Sequence, residues 1–253
     1  MFIQGSNEMK KQLILGVLLI LLTMPVKASA QEEISTGSNA YVTIEKYSGD
    51  GEQPVNPTDP NEIVKPGPNT DGTNPHQPST KGPLSLNYIS NLKFGKQTAN
   101  GNDAVYQVKP DRVIDSKEAE IDVPNYVQVT DHRGTNSGWT LLVKQDGAFK
   151  NGVHSLAGTE LVFTSPVLVS KSGKDTTSPS ANANFTLTAD GNSAMVMYAA
   201  TDQGMGTWVD RFGKDLEEAK TGIQLKIPGD SKKVAGFYQT SLTWTLTDTP
   251  FTE

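Results

Sequence analysis

The chain has no cysteine. That removes a disulfide framework, every thiolate metal site and every cysteine nucleophile. Histidine is scarce as well: His76, His132 and His154 are the only three, too few and too scattered for a histidine-based zinc site. Mean hydropathy is −0.42, which excludes a protein of several membrane spans. Basic residues are outnumbered, 22 Lys and Arg against 28 Asp and Glu, for a formal charge of −6. A general nucleic-acid binder needs the opposite balance to neutralise phosphates. Helical patterning is nearly missing too; residues 215–220 alone suggest a turn or two of helix. What remains is a 253-residue chain, long enough to bury a sizeable core without metals or disulfides.

The longest apolar run lies at the N-terminus. Lys10 and Lys11 precede residues 13–22, which are uniformly apolar save for Gly16, and Ala28-Ser29-Ala30 follows. A positive start, a short apolar stretch and a small-residue cleavage site are the parts of a secretory signal peptide. A retained anchor is the competing reading, but the run falls short of the roughly 20 residues that a bilayer core requires. Cleavage after Ala30 is therefore expected, with the protein secreted. It takes away three lysines and one glutamate, leaving a charge of −8.

Three regions are expected: a signal peptide over 1–30, a polar and Pro-rich linker over 31–83, and a β domain over 84–253. Within the linker, Tyr41-Val42-Thr43-Ile44-Glu45 alternates like a short strand that pairs with the main domain or with a partner, or stays loosely ordered. Residues 51–83 hold eight of the fifteen prolines. With few apolar side chains to offset ordering entropy, they read as a disordered, semi-rigid spacer without a core. His76 sits there and reads as solvated.

Beyond residue 83, short apolar runs alternate with polar residues and stop at Gly, Asn, Asp or Pro. Examples are Tyr126-Val127-Gln128-Val129, Phe185-Thr186-Leu187-Thr188 and Ile223-Gln224-Leu225-Lys226-Ile227. Period-two patterning between turn residues means half-buried strands. Asp190-Gly191 suggests a hairpin turn, and residues 171–184 read as a mobile loop. Many strands without crossover helices imply an all-β fold, an antiparallel β-sandwich of Ig-like or jelly-roll-like type, preceded by the linker.

One tripeptide occurs twice: Trp139-Thr140-Leu141 and Trp244-Thr245-Leu246. Residues two apart on a strand share a face, so Trp139, Leu141 and Val143 go together, as do Leu242, Trp244 and Leu246. Two readings stand. Either the tryptophans are core residues, each burying up to about 250 Å², or they form an exposed platform for sugar rings. Because Leu141 and Leu246 travel with them, alternation favours the core. Trp208, in the Gly-rich stretch Gly204-Met205-Gly206-Thr207-Trp208, fits either role equally.

The whole constellation resembles the WxL-domain family of Gram-positive surface proteins. The resemblance rests on Gly82-Pro83-Leu84-Ser85-Leu86-Asn87-Tyr88, on Val127-Gln128-Val129-Thr130-Asp131-His132-Arg133-Gly134 leading to the first Trp-Thr-Leu, and on Gly236-Phe237-Tyr238 through the second. It implies a cell-surface protein held non-covalently on peptidoglycan by its C-terminal domain. It also implies partners: a membrane-anchored WxL-interacting protein and other WxL proteins. The binding elements so implied are Trp139, Thr140, Leu141, Trp244, Thr245 and Leu246, with Trp208 as a further candidate from its own context. The alternative is a structural or adhesive subunit that binds a partner surface protein in place of glycan.

No sorting motif of LPxTG type and no apolar tail occur, so surface retention is expected to come from recognition by the folded domain. Enzyme readings fare poorly. Glycan hydrolysis needs two carboxylates about 5–9.5 Å apart, and nothing in the spacing of Asp131, Asp190, Asp202, Asp210, Glu217 and Glu218 selects two. Asp131 beside His132 is a weak base-and-orienter pair, because neighbours on a strand face opposite ways. No cofactor, metal or catalytic residue is expected.

Overall fold

A computed structural model describes residues 39–45, 47–49, 51–68, 75–171 and 177–251. The leader expected over residues 1–30 lies outside the described residues. By its internal contacts the chain divides between Val42 and Thr43, and the architecture below is that of the larger, C-terminal unit.

The β-rich pattern is realised as 44 % strand and 4 % helix, a balance that leaves no room for parallel crossover units. Three antiparallel sheets of four strands dominate. In spatial order the first holds Pro166–Ser170, Gly206–Phe212, Tyr126–Asp131 and Leu84–Ile89. The second holds Asn184–Thr188, Glu160–Thr164, Ile223–Ile227 and Ala104–Gln107. The third holds Ser180–Ala181, Ser193–Ala199, Trp139–Gln145 and Leu242–Thr247. A three-stranded sheet adds Lys65–Pro66, Asp111–Ile114 and Glu120–Val123.

These four small sheets are set in a propeller-like arrangement, and the two broad layers of the expected sandwich are not clearly formed. At two corners the chain changes sheet instead of closing a hairpin. Ser165, with φ of +56°, separates Glu160–Thr164 from Pro166–Ser170, which belong to different sheets. Asp190-Gly191 behaves the same way. It makes the expected turn, with Gly191 at φ +77° and the Asp190 carboxylate accepting the Asn192 N–H. Yet Asn184–Thr188 pairs with Glu160–Thr164, while Ser193–Ala199 pairs with Trp139–Gln145. A turn dipeptide specifies local reversal, not which neighbour each arm finds.

The single helix among the described residues, Leu216–Gly222, starts where the sequence suggests. Asp215 caps it by accepting the Glu218 N–H, and the Glu218 carboxylate in turn accepts the N–H of Lys214, the residue before the cap. Residues 177–184 are more ordered than a mobile loop implies: Ser180–Ala181 pairs with Met197 and Tyr198. Residues 172–176 of that segment lie outside the described residues.

Apolar faces of the three large sheets meet in one core that includes Trp139, Leu141, Val129, Trp208, Phe163 and Ile223. A second core lies across the first sheet, made by Val64, Tyr88, Val113, Val123, Tyr126 and Val209. The strand Tyr126–Asp131 is therefore buried along its entire length, on both faces. A bulge between Leu86 and Tyr88 shifts the pairing register, so Leu86 joins the first core and Tyr88 the second.

Residues 51–68 depart from the expectation of a disordered spacer. Val55–Asn56 pairs with Asp59–Ile63, Lys65–Pro66 joins the three-stranded sheet, and Val64 is 2 % exposed. Buried Gln128 holds the strap from below: its Oε1 accepts the Val55 N–H and its Nε2 donates to the Gln53 carbonyl. Low apolar content measures what a segment can bury against itself. Here one valine completes a core that the domain supplies. His76 is likewise not solvated. Its ring stacks on Tyr88 with centroids 5.0 Å apart, and Nε2 lies 3.6 Å from buried Asp111.

Candidate functional site

The two Trp-Thr-Leu motifs, 105 residues apart in sequence, are neighbours in space. Trp139–Gln145 and Leu242–Thr247 run antiparallel in one sheet, and the two leucines of the motifs, Leu141 and Leu246, are direct cross-strand partners. Trp244 faces Val143, so both motifs turn the same side to the core.

Local chemistry locks the first motif. Gly138 precedes it at φ +76°, and a Cβ there would collide with the backbone of Ala199 and Ala200. Arg133 grips Asp131 with two hydrogen bonds, Nε to Oδ1 at 2.9 Å and Nη2 to Oδ2 at 2.7 Å, and also donates to the Gly138 carbonyl at 2.6 Å. Asp131 is buried. Its hydrogen bonds raise the Arg133 pKa above the ordinary guanidinium value, against the opposing effect of burial. Trp139 is wholly buried, and its indole N–H donates to the Gly204 carbonyl. At Gly204 (φ +78°) a Cβ would collide with Ala199 and the Trp139 indole. Trp208 is buried as well and donates to the Met205 carbonyl. The Gly-rich stretch thus caps two core indoles and shapes the sheet from beneath.

The second motif sits differently. Leu242–Thr247 is an edge strand in which Leu242, Trp244 and Leu246 are half-buried while Thr243 and Thr245 are exposed. Of the residues expected to bind, then, Trp139, Leu141 and Trp208 are interior, Thr140 is buried, Trp244 and Leu246 are partly covered, and Thr245 faces solvent.

The opposite, solvent-facing side of this sheet carries the accessible chemistry. Thr140 pairs with Thr247 and Tyr198, Leu142 with Thr245 and Met195, and Lys144 with Thr243 and Ser193. A bulge between Met195 and Met197 puts Met195 and Tyr198 on this same side. Several hydroxyls are already engaged. Thr243 donates to Asp146, Ser241 donates to the same carboxylate, Thr247 donates to the Thr140 carbonyl, and Thr140 donates to the Thr249 carbonyl. Thr245, between them, has no such partner among the described residues. Tyr198 and half-exposed Phe251 bound one end of the row, their ring centroids 5.1 Å apart. Lys144 and Asp146, 3.8 Å apart, bound the other.

Tyr198 and Phe251 did not emerge from sequence patterning. Tyr198 sits beyond a bulge that breaks the alternation, and Phe251 lies past the last strand.

A family model described as "WxL domain surface cell wall-binding" matches residues 31–250. The chain belongs to the WxL family. The match takes in the N-terminal strap as well as the β domain, in keeping with the strands that residues 51–68 contribute. This family implies a surface protein that binds the cell surface. No curated protein matches the chain.

Proposed function

We propose that this WxL protein is exported, loses residues 1–30, and is retained non-covalently on the Gram-positive wall by recognising peptidoglycan with the outer face of the sheet that carries both motifs. The observation that carries the reading is the sidedness of that sheet. Its apolar face, Trp139 included, is spent on the core, whereas its outer face offers Thr245, Leu142, Tyr198 and Phe251 beside Lys144. Hydroxyl groups next to an aromatic pair are suited to uncharged saccharide: ring faces stack on aromatics and sugar hydroxyls exchange hydrogen bonds. The tryptophans then act as supports that hold this face flat. The family match, beginning directly after Ala30, supports a mature chain that starts there.

Binding is proposed to occur without catalysis. Asp131 is committed to Arg133, Glu217 pairs with Lys220, and Glu218 serves the helix cap. The membrane-anchored WxL-interacting protein and other WxL proteins are proposed as further partners on the surface.

The test is co-sedimentation of the secreted protein with purified peptidoglycan sacculi. Binding to bare sacculi, weakened by Thr245→Ala and Tyr198→Ala with the melting midpoint unchanged, is the expected result. Binding that appears only when a partner protein is added would replace this reading with that of a protein-binding subunit.

A further inference from the structure

Two adjoining loops of the larger unit push apolar side chains into solvent. Lys150–Asn151 and His154–Ser155 form a hairpin whose tip is Gly152, at φ +58°, and Val153. Val153 is 95 % exposed. Residues 234–239 run beside this hairpin: Lys150 and Gln239 exchange N–H···O=C bonds of 2.9 and 3.0 Å. Gly236 comes so close that a Cβ there would strike the Asn151 amide. The Tyr238 hydroxyl donates to the Val234 carbonyl at 2.9 Å and closes the second loop. From that loop Phe237 stands 60 % exposed and Val234 43 %.

Elsewhere in the larger unit Ile63, Val105, Met205 and Leu216 are exposed singly on separate elements, which is ordinary for a protein surface. Three together on neighbouring loops are not. Charge sets these loops apart as well. The chain carries a net −6, yet residues 147–159 and 231–247 contain no Asp or Glu and three lysines, Lys150, Lys232 and Lys233. Lys150 and Lys232 are exposed, while Lys233 is drawn to the Asn102, Pro228 and Gly229 carbonyls.

We propose that these two loops dock on a lipid bilayer with anionic headgroups, Val153, Val234 and Phe237 entering the boundary between headgroups and acyl chains while Lys150 and Lys232 meet lipid phosphates. An apolar protrusion enters a fluid medium without needing a preformed pocket on the other side. A soluble anionic polymer would satisfy the lysines and leave the apolar tip in water. In interfacial binding of this kind apolar burial and the attraction of basic side chains add, each lysine near the surface giving about 1 kcal/mol. The negative charge of the whole chain opposes approach but is screened beyond roughly 8 Å at physiological salt, so the loops' own charge governs at contact. None of these side chains belongs to the saccharide face, and the contact does not depend on wall binding.

The lack of native cysteine gives a clean test. The secreted protein bearing Val153→Cys carries an environment-sensitive fluorophore on that thiol and is mixed with vesicles of equal parts phosphatidylcholine and phosphatidylglycerol. A blue shift is expected, with quenching when the acyl chains are brominated, and neither with the same label at Val105→Cys on Ala104–Gln107. No shift at residue 153, or the same shift at both positions, would overturn the proposal. So would an equal shift with soluble poly(glycerol phosphate), which would mark a polyanion site. Sedimentation of the unlabelled protein with the same vesicles supplies a second readout. Val153→Asp is expected to weaken partitioning about tenfold or more, with an unchanged melting midpoint since that side chain stands in solvent. The double variant Lys150→Gln/Lys232→Gln is expected to weaken it about tenfold or more as well. Partitioning unaltered in either variant would equally refute the idea.

Discussion

The two copies of Trp-Thr-Leu share a sheet and a facing direction but not an environment. Trp139 lies on an inner strand between Ser193–Ala199 and Leu242–Thr247, and no part of it reaches solvent. Trp244 lies on the edge strand and stays half-covered. Identical tripeptides therefore do unequal work. The first copy anchors a turn network of Asp131, Arg133, Gly138 and Gly204. The second supplies an edge and an exposed hydroxyl.

The sharpest way to break this comparison is to truncate both indoles. Trp139→Ala is expected to cost about 3–5 kcal/mol of stability, the range for an aromatic lost from a closed core. Trp244→Ala is expected to cost roughly 1–2 kcal/mol, because part of that side chain is already in water. Equal shifts in urea midpoints would show that edge and inner positions do not differ. Arg133→Ala comes next in size. It leaves the buried Asp131 carboxylate without its ion partner, a loss of about 3 kcal/mol. Arg133→Lys is expected to restore only part of that stability, since an ammonium cannot reproduce the forked grip.

Thr245→Ala sharpens the comparison at the outer face. Stability is expected to change by less than about 0.5 kcal/mol at this exposed site. Sacculus binding is expected to weaken by roughly fivefold, the worth of one hydrogen bond near 1 kcal/mol. Salt is expected to have little effect on retention. The mature charge is −8, so electrostatics toward an anionic wall are repulsive and screening relieves them. Quantitative release by about 0.5 M salt, where the screening length falls to a few ångströms, would contradict short-range recognition.

The smallest effect concerns Asp190. Hydrogen bonding from the Asn192 backbone, then from Thr188, holds its carboxyl below the ordinary value. A depressed acid pKa means that the folded turn favours the carboxylate. Its contribution is present above the unfolded value and is lost as pH falls through the folded one. Amide exchange at Asn192 is expected to speed up over that acid range, and to do so at neutral pH in Asp190→Ala.

The comparison also measures what could be read in advance. Alternation in residues 139–143 and 242–247 correctly placed each motif on a strand and gave each strand its inner face. It favoured a core role for the tryptophans of the two motifs, and Trp139 is interior; Trp208, for which the sequence favoured neither role, is interior too. It did not see that Trp244 would stop half-way, because edge position is a property of the sheet and not of the strand. The bulges at Leu86–Tyr88 and Met195–Met197 were equally hidden, since a bulge is defined against a partner strand. His76 and Val64 were misplaced for a related reason: both are held by residues distant in sequence, Asp111 and Tyr88 for the one and the second core for the other.

Sequence alone determined the strand-dominated class, the short helix near residues 215–220, the lack of thiol chemistry, and the family. All of these depend on residue type and on spacing within a few positions. Tertiary structure decided which strands became neighbours, how they were divided among small sheets, and which of two identical tripeptides was sealed. Those outcomes are set by long-range burial and by backbone groups seeking partners across the fold, and no local pattern encodes them.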